Sequence, residues 1–98
     1  AGQVYLLPAA SWARRVVGVF ANRVARREPD LAHATLITNT DGSLLVSVRA
    51  PLDNPRGADS LCRQFATGGG RAAAAGINRL PADALDRFLA AFAAHFAV

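Results

Sequence analysis

Three consecutive glycines followed by an arginine form the most chemically informative segment of the chain, Thr67-Gly68-Gly69-Gly70-Arg71. Glycine adopts backbone angles closed to other residues and lets a ligand approach the main chain without a Cβ in the way. Successive backbone N–H groups in such a loop can form a concave anion site, to which Arg71 would add charge and a fork of donors. By itself the segment is equally typical of a flexible connection, and it matches no standard phosphate-binding fingerprint. The small residues at 72–76 favour a tightly packed loop, and therefore a binding loop.

The other reactive side chains do not form a catalytic pattern. Cys62 stands alone at a helical spacing, which predicts a buried structural thiol, because a nucleophilic cysteine needs a histidine and an orienting group nearby. His33 and His95 are isolated and are interpreted as surface or hydrogen-bonded side chains, since they share no zinc-ligand spacing with the cysteine. The acidic residues are scattered, without the clustering of a two-metal centre. The sequence therefore predicts no catalytic residue and no metal ligand in this chain.

The charge of the chain permits an anionic partner without requiring one. The net charge is +4 and the pI is about 11.0, and all 11 basic residues are arginine. Arginine binds phosphate through two parallel bonds, but abundant arginine, alanine and glycine are also typical of a genome rich in G and C. No apolar run approaches the ~18 residues of a membrane span, and no signal peptide is recognisable, so a cytoplasmic domain without membrane contact is expected.

The pattern of apolar and turn residues predicts a single small α/β domain. Strands are expected at residues 3–7, 34–39, 44–49 and about 74–78, with a hairpin turn at Asp41-Gly42. Helices are expected at residues 12–27, capped by Ser11, at 57–65, and after Pro81. Together these elements predict a mixed β-sheet of about four to five strands packed with about three helices.

Two of the predicted helices carry an apolar stripe that should face the sheet. The first stripe consists of residues at steps of four, Trp12, Val16, Phe20 and Val24. The second lies on the last helix and consists of Leu85, Phe88, Leu89, Phe92 and Phe96. The arginines of the first helix lie mainly off its stripe and are interpreted as a solvated face.

The segment around the glycines resembles a known family. The strand Leu45-Val46-Ser47-Val48-Arg49 precedes the three glycines by about twenty residues, and small residues, Gly76 and Ile77 follow them. This arrangement is similar to the C-terminal, DHH-associated domain of the DHH phosphoesterases, which include RecJ-like exonucleases, the nano-RNases that degrade very short RNAs, and related phosphatases. The resemblance covers roughly residues 3–96.

The resemblance implies a binding role for this chain and a catalytic role for a domain that it lacks. In the family, a larger N-terminal domain carries the Asp-His-His motif and the metal ligands, with manganese the expected metal. The smaller domain grips the phosphate or terminal nucleotide. The substrate-binding positions carried over are Ser47 and Arg49 in the strand, Gly68, Gly69 and Gly70 in the loop, and Arg71 beside them.

No Asp-His-His occurs here, so residues 1–98 are expected to be a substrate-binding domain excised from a longer chain and inactive alone. The expected partners are a nucleotide, a short oligonucleotide or another phosphate ester, together with the N-terminal DHH domain of the same parent chain. No cofactor is expected in this domain. The resemblance leaves room for an oligomer.

Arg71 departs from the family pattern, which usually has histidine after the glycines. Anion binding survives this exchange, whereas proton transfer does not, because arginine stays charged at neutral pH. The terminal domain of alanyl-tRNA synthetase is similar here, with Gly-Gly-Gly-Arg, and there the domain contacts tRNA. An RNA-binding module is therefore the alternative, and an interaction domain with a vestigial loop is a third. Convergence of Arg49 and Arg71 on one pocket favours the first interpretation, and a basic path along the surface favours the second.

Overall fold

The predicted Asp41-Gly42 turn forms in the computed structural model, which describes residues 2–9 and 11–96. Gly42 takes a positive φ of 88°, and its N–H donates to the carbonyl of Asn39 at 3.0 Å. The Asn39 N–H donates to the carbonyl of Ser43 at 2.7 Å, and the Asp41 carboxylate accepts from the Ser43 N–H at 2.9 Å. Glycine is favoured here because a Cβ is strained at this φ. The turn joins two antiparallel strands, so the predicted hairpin is confirmed.

Five strands form one mixed sheet in the order β1-β2-β3-β5-β4. Their bounds are β1 Gly2–Leu6, β2 Ala32–Thr38, β3 Leu44–Arg49, β4 Gly68–Gly70 and β5 Ala74–Leu80. Only β1 and β2 pair in parallel, and the helix α1, Ser11–Arg27, makes the crossover between them. The other neighbours pair antiparallel. The predicted α/β fold with a mixed sheet of four to five strands and three helices is confirmed.

Two helices cover one face of the sheet and enclose the main core. They are α2, Ala58–Cys62, and α3, Leu85–His95, which follows a short 3₁₀ turn at Ala82–Ala84. Phe88 and Phe92 of α3 are buried against alternate residues of β2, β3 and β5, and Leu85, Leu89 and Phe96 pack around them. The apolar stripe predicted for the last helix is therefore confirmed.

The first helix packs on the opposite face, over β2 and β3, through only part of the predicted stripe. Val24 is buried and Phe20 is half-buried, but Trp12 is 49% exposed and Val16 is 39% exposed, so the prediction that these last two side chains face the sheet is wrong. The other buried residues described on α1 are alanines, namely Ala13, Ala21 and Ala25. Alanine lets the helix axis approach the sheet closely, which turns the large side chains outward. The side chain of Ser11, the predicted cap, lies outside the described residues.

No helix within the described parts of the chain is long and apolar enough to cross a membrane.

Candidate functional site

The sheet registers bring three of the six predicted binding residues, Ser47, Arg49 and Gly69, onto one face. Ser47 lies opposite Gly76, and Gly76 lies opposite Gly69, while Arg49 lies opposite Ala74. Directly paired residues of neighbouring strands share a face, so Ser47, Gly76 and Gly69 form a row across three strands. This is the face on which α1 packs, because the alternate residues Val46 and Val48 point into the core on the other side.

The three glycines have different structural roles. A Cβ on Gly68 would collide with the carbonyl oxygen of Cys62, and a Cβ on Gly70 would lie 2.5 Å from the Cα of Ala75. Gly70 also has a φ of +139°, which other residues rarely adopt. At Gly69, by contrast, a Cβ would meet no heavy atom within 4 Å. The fold therefore explains glycine at 68 and 70 but not at 69, where its effect is to keep the open surface of the sheet flat.

The glycines form an edge strand, which corrects the expectation of a loop. β4 pairs with β5, and the two are joined by a tight turn in which the Arg71 N–H donates to the Ala74 carbonyl at 2.8 Å. The Gly68 N–H donates to the Phe65 carbonyl at 3.1 Å. These two donors are taken up within the chain, so a nest of free backbone N–H groups does not form. The absence of side chains allows β4 to fit under the carbonyl of Cys62, and pairing with β5 satisfies the backbone groups on the inner side of this edge strand.

Arg49 is held in place at the end of β3 by two side chains. Its Nε donates to the Oδ1 of Asn22 on α1 at 3.2 Å, and its Nη1 donates to the Oγ of Ser47 at 2.9 Å. Burial lowers the pKa of the half-buried Arg49 guanidinium, and the nearby positive charge of Arg71 lowers this pKa further. Two guanidinium groups that repel each other make a place where an anion is favoured. Arg71 therefore lies close enough to Arg49 for its charge to act on the Arg49 guanidinium.

A cavity of about 320 Å³ adjoins Arg49, between the last turns of α1, the segment after β3 and the turn between β4 and β5. It is lined by Asn22, Ala25, Arg26, Arg49, Ala50, Leu52, Ala73 and Ala74. Sequence reasoning missed Asn22 and placed Arg26 on a solvated face. Two features of the sequence could have pointed to these residues as neighbours in a site. Asn22 and Arg26 are four positions apart and so lie on the same side of the helix, and asparagine is a poor helix former that is unusual inside a helix.

A larger cavity of about 620 Å³ lies at the hairpin end of the same face, and four of its polar side chains, Arg14, Asn39, Asp41 and Arg79, form two pairs. Arg14 donates to the Oδ1 of Asn39, and the Asn39 amide donates to the Ser43 Oγ at 3.0 Å and to the Asn78 carbonyl at 3.1 Å. Arg79 lies 4.0 Å from the Asp41 carboxylate. These groups hold the hairpin against the end of β5, so a structural role accounts for them.

The single cysteine and His95 lie apart from this site, whereas His33 on β2 lies directly opposite Arg49 in the sheet. Burial, together with the charge of Asp59, raises the pKa of the Cys62 thiol to about 11, which agrees with the predicted structural thiol. His95 is exposed and shares a hydrogen bond of 3.0 Å with the Ser60 Oγ. His33 is buried, with its Nε2 3.1 Å from the carbonyl of Glu28, and its Nδ1 has no hydrogen-bond partner in the described part of the chain. Across the described residues, no three histidine, cysteine or acidic side chains come together as metal ligands.

Comparisons with family models and with curated proteins identify no family for this chain, so its function is inferred from its residues and their geometry. No protein-family model matches the chain. A search of curated proteins also finds no match.

Proposed function

We propose that this chain is the substrate-binding domain of a DHH-type phosphoesterase and that it binds the phosphate end of a nucleotide, a short oligonucleotide or another phosphate ester. The observation that supports this most is the pair Arg49 and Arg71 beside an open sheet surface whose central residue, Gly69, has no structural reason to be glycine. Anionic ligands bind best where fixed cationic donors meet a surface that they can approach closely.

The binding step follows from the donors that remain available. The Nε and Nη1 of Arg49 are bonded to Asn22 and Ser47, so they set the plane of the guanidinium, whereas its Nη2 has no partner among the described residues. Arg71 is exposed in its turn and supplies further donors. A phosphate between them receives charge-assisted bonds, each of which contributes roughly 1.5–3 kcal/mol. Neither arginine transfers a proton at neutral pH, so these residues bind and orient the phosphate.

Hydrolysis is assigned to the other half of the proposed enzyme. The N-terminal DHH domain of the same parent chain would supply a divalent metal, with manganese expected, and the opposite wall of the cleft. The proposed location is the cytoplasm. The chain alone is expected to bind its ligand weakly, because the pre-organisation given by the second wall is missing.

An NMR titration with a nucleoside monophosphate tests the proposal. In the wild-type chain, we expect shifts at Arg49, at residues 69–71 and in the turn that follows. Arg71→Ala is expected to weaken binding by roughly tenfold or more, since it removes a charged hydrogen-bond partner from an exposed turn. Arg15→Ala, which removes the same charge from an exposed position on α1, is the matched control and should leave binding unchanged. Equal binding by the two variants would contradict the proposal.

An RNA-binding module is the second candidate, and the arginines of α1 favour it. Five of them are exposed along this helix, Arg14, Arg15, Arg23, Arg26 and Arg27. The same titration separates the two functions. Shifts spread along α1, with residues 69–71 unaffected, would support the RNA-binding module instead.

A further inference from the structure

The strand β1 forms a free edge of the sheet, because it pairs with β2 on one side and with no described strand on the other. At its end, the Leu7 N–H donates to the Leu36 carbonyl at 2.9 Å. The backbone groups of successive residues in a strand point alternately to its two sides, so those of Tyr5 also point toward β2. The N–H and C=O groups of Val4 and Leu6 therefore point outward, away from the sheet.

This edge lacks the features that normally keep a free strand from pairing. Residues 2–6 contain no charged residue and no proline, and their register with β2 runs without a bulge. Charged side chains, prolines and bulges are the usual protection of an edge strand. Val4 is 44% exposed and Leu6 is 70% exposed, on the side of the sheet where Phe92 of α3 lies over Gly2. Free backbone groups beside two exposed apolar side chains are typical of an edge that accepts an added strand.

The other side of β1 borders α1. The ring of Tyr5 meets the ring of Phe20 edge-on, with 5.3 Å between the centroids. Burial and the Glu28 carboxylate raise the pKa of the Tyr5 hydroxyl, and the positive charge of Arg27, which is close by, opposes this rise. Arg23 lies one turn before Arg27 on the same side of the helix, and both arginines are exposed. A strand added to this edge would therefore face two arginines on the α1 side of the sheet.

The charge of α1 identifies the kind of segment that fits this edge. The helix carries five arginines and no acidic residue, and Glu28, just after it, offsets only part of that charge. A second copy of the chain, paired antiparallel through β1, would place both α1 helices on the same side of the joined sheet, where their like charges would repel. A segment with acidic residues has the opposite effect, because its carboxylates can pair with the arginines. The charge therefore favours an acidic partner over self-association.

We propose that the free edge of β1 binds an extended acidic segment of a partner protein, which joins the five-stranded sheet as a further strand. The backbone of this segment bonds to the outward N–H and C=O groups of Val4 and Leu6. Its side chains alternate, with apolar residues packed on Val4 and Leu6 and carboxylates paired with Arg23 and Arg27. The strands β2, β3 and β5 separate this edge from β4, so the proposal does not depend on the proposed function.

Hydrogen exchange, followed by NMR on the full chain, tests the proposal with two blocked peptides of about seven residues. One peptide alternates valine with glutamate, and the other alternates valine with lysine. In the free chain, the Val4 and Leu6 amides should exchange quickly and the Tyr5 amide slowly. The glutamate peptide, at up to about 1 mM, should slow the exchange at Val4 and Leu6. The lysine peptide should bind at least about tenfold more weakly, because its charges meet the arginines of α1.

Three variants separate the contributions of backbone, apolar surface and charge. Val4→Pro removes an outward N–H that β2 does not use, and should weaken binding of the glutamate peptide by about tenfold or more. Leu6→Ser should weaken it by about fivefold, since it removes apolar contact area. Arg27→Ala should weaken the glutamate peptide by about threefold and leave the lysine peptide no weaker. Arg79→Ala, at an exposed arginine on β5, is the matched control for charge and should behave as wild type.

The measurements also identify the results that would overturn the proposal. Unchanged exchange at Val4 and Leu6 with the glutamate peptide would show that no strand is added, and this readout holds even if Val4→Pro fails to fold. Equal binding of the two peptides would exclude an acidic partner. A dimer of the chain alone in analytical ultracentrifugation, lost in Leu6→Ser, would assign the edge to a second copy instead.

Discussion

Two glycines in the run 68–70 are required by different physical constraints, and the third is required by none. Gly68 fits against a carbonyl oxygen, Gly70 adopts a φ of +139°, and Gly69 faces open space. Three consecutive glycines indicate an unusual backbone conformation, but nothing in the sequence shows which of them is required by packing and which by its φ angle. Only the neighbours, Cys62 from α2 and Ala75 from β5, distinguish them.

These constraints predict opposite outcomes for two substitutions one residue apart. Gly68→Ala places a methyl group against the Cys62 carbonyl, so the backbone must shift to make room for it. This substitution should therefore lower the free energy of unfolding by about 2 kcal/mol or more. Gly69→Ala should leave stability unchanged or raise it by up to about 1 kcal/mol, since it removes backbone freedom from the unfolded chain. Chemical denaturation of the two variants measures the difference. Equal destabilisation would show that Gly69 is also required by packing.

The orientation of α1 shows how an element can be predicted correctly while its buried face is not. Large apolar residues at steps of four marked Trp12 and Val16 as core, but the helix packs through alanines and leaves both largely exposed. Alanine carries little weight in any apolar pattern, yet it decides how closely a helix approaches a sheet. The exposed apolar residues of α1 have no structural explanation in the described chain.

Two valines on this helix provide a direct measurement of its orientation. Val24 is 1% exposed and Val19 is 65% exposed. Val24→Ala should lower the free energy of unfolding by about 1–2 kcal/mol, because it leaves a space against the sheet. Val19→Ala should change it by less than about 0.5 kcal/mol, since a solvent-facing alanine is also the better helix former. Thermal unfolding of both variants checks this, and a larger effect at Val19 would mean that α1 is rotated.

Local patterns were sufficient to predict the three helices, four of the five strands and their order along the chain. The hairpin follows from Asp41-Gly42, and the last helix follows from its phenylalanine stripe. β4 was not predicted, because three glycines have no strand propensity, and only pairing with β5 makes them a strand.

The site depends on contacts that no local pattern contains. Asn22 on α1 accepts a hydrogen bond from Arg49 at the end of β3. Arg71, in the turn after β4, lies close enough for its charge to lower the pKa of Arg49, because the order β3-β5-β4 separates the two strands by only one other. The resemblance indicated Arg49 and Arg71 but gave no reason to include α1. Asn22 became a candidate only through its hydrogen bond to Arg49. The resemblance therefore indicated the two arginines that are proposed to bind an anion, but sequence reasoning missed the side chain that orients Arg49.

The net charge of +4 makes the salt dependence of binding a test of how much of the molecule contacts the ligand. A pocket that holds one phosphate releases few counterions, so the slope of log K against log salt concentration should be about −1. The slope should also be the same for a nucleoside monophosphate and for an oligonucleotide of about ten nucleotides, because only one terminal phosphate enters the pocket.

An RNA-binding surface along the five arginines of α1 would give a slope of about −0.7 for each phosphate contacted, and hence about −3 to −4 for the oligonucleotide alone. Titrations of both ligands at several salt concentrations measure the two slopes. A slope that steepens with ligand length would contradict the single-phosphate pocket and favour the extended RNA surface.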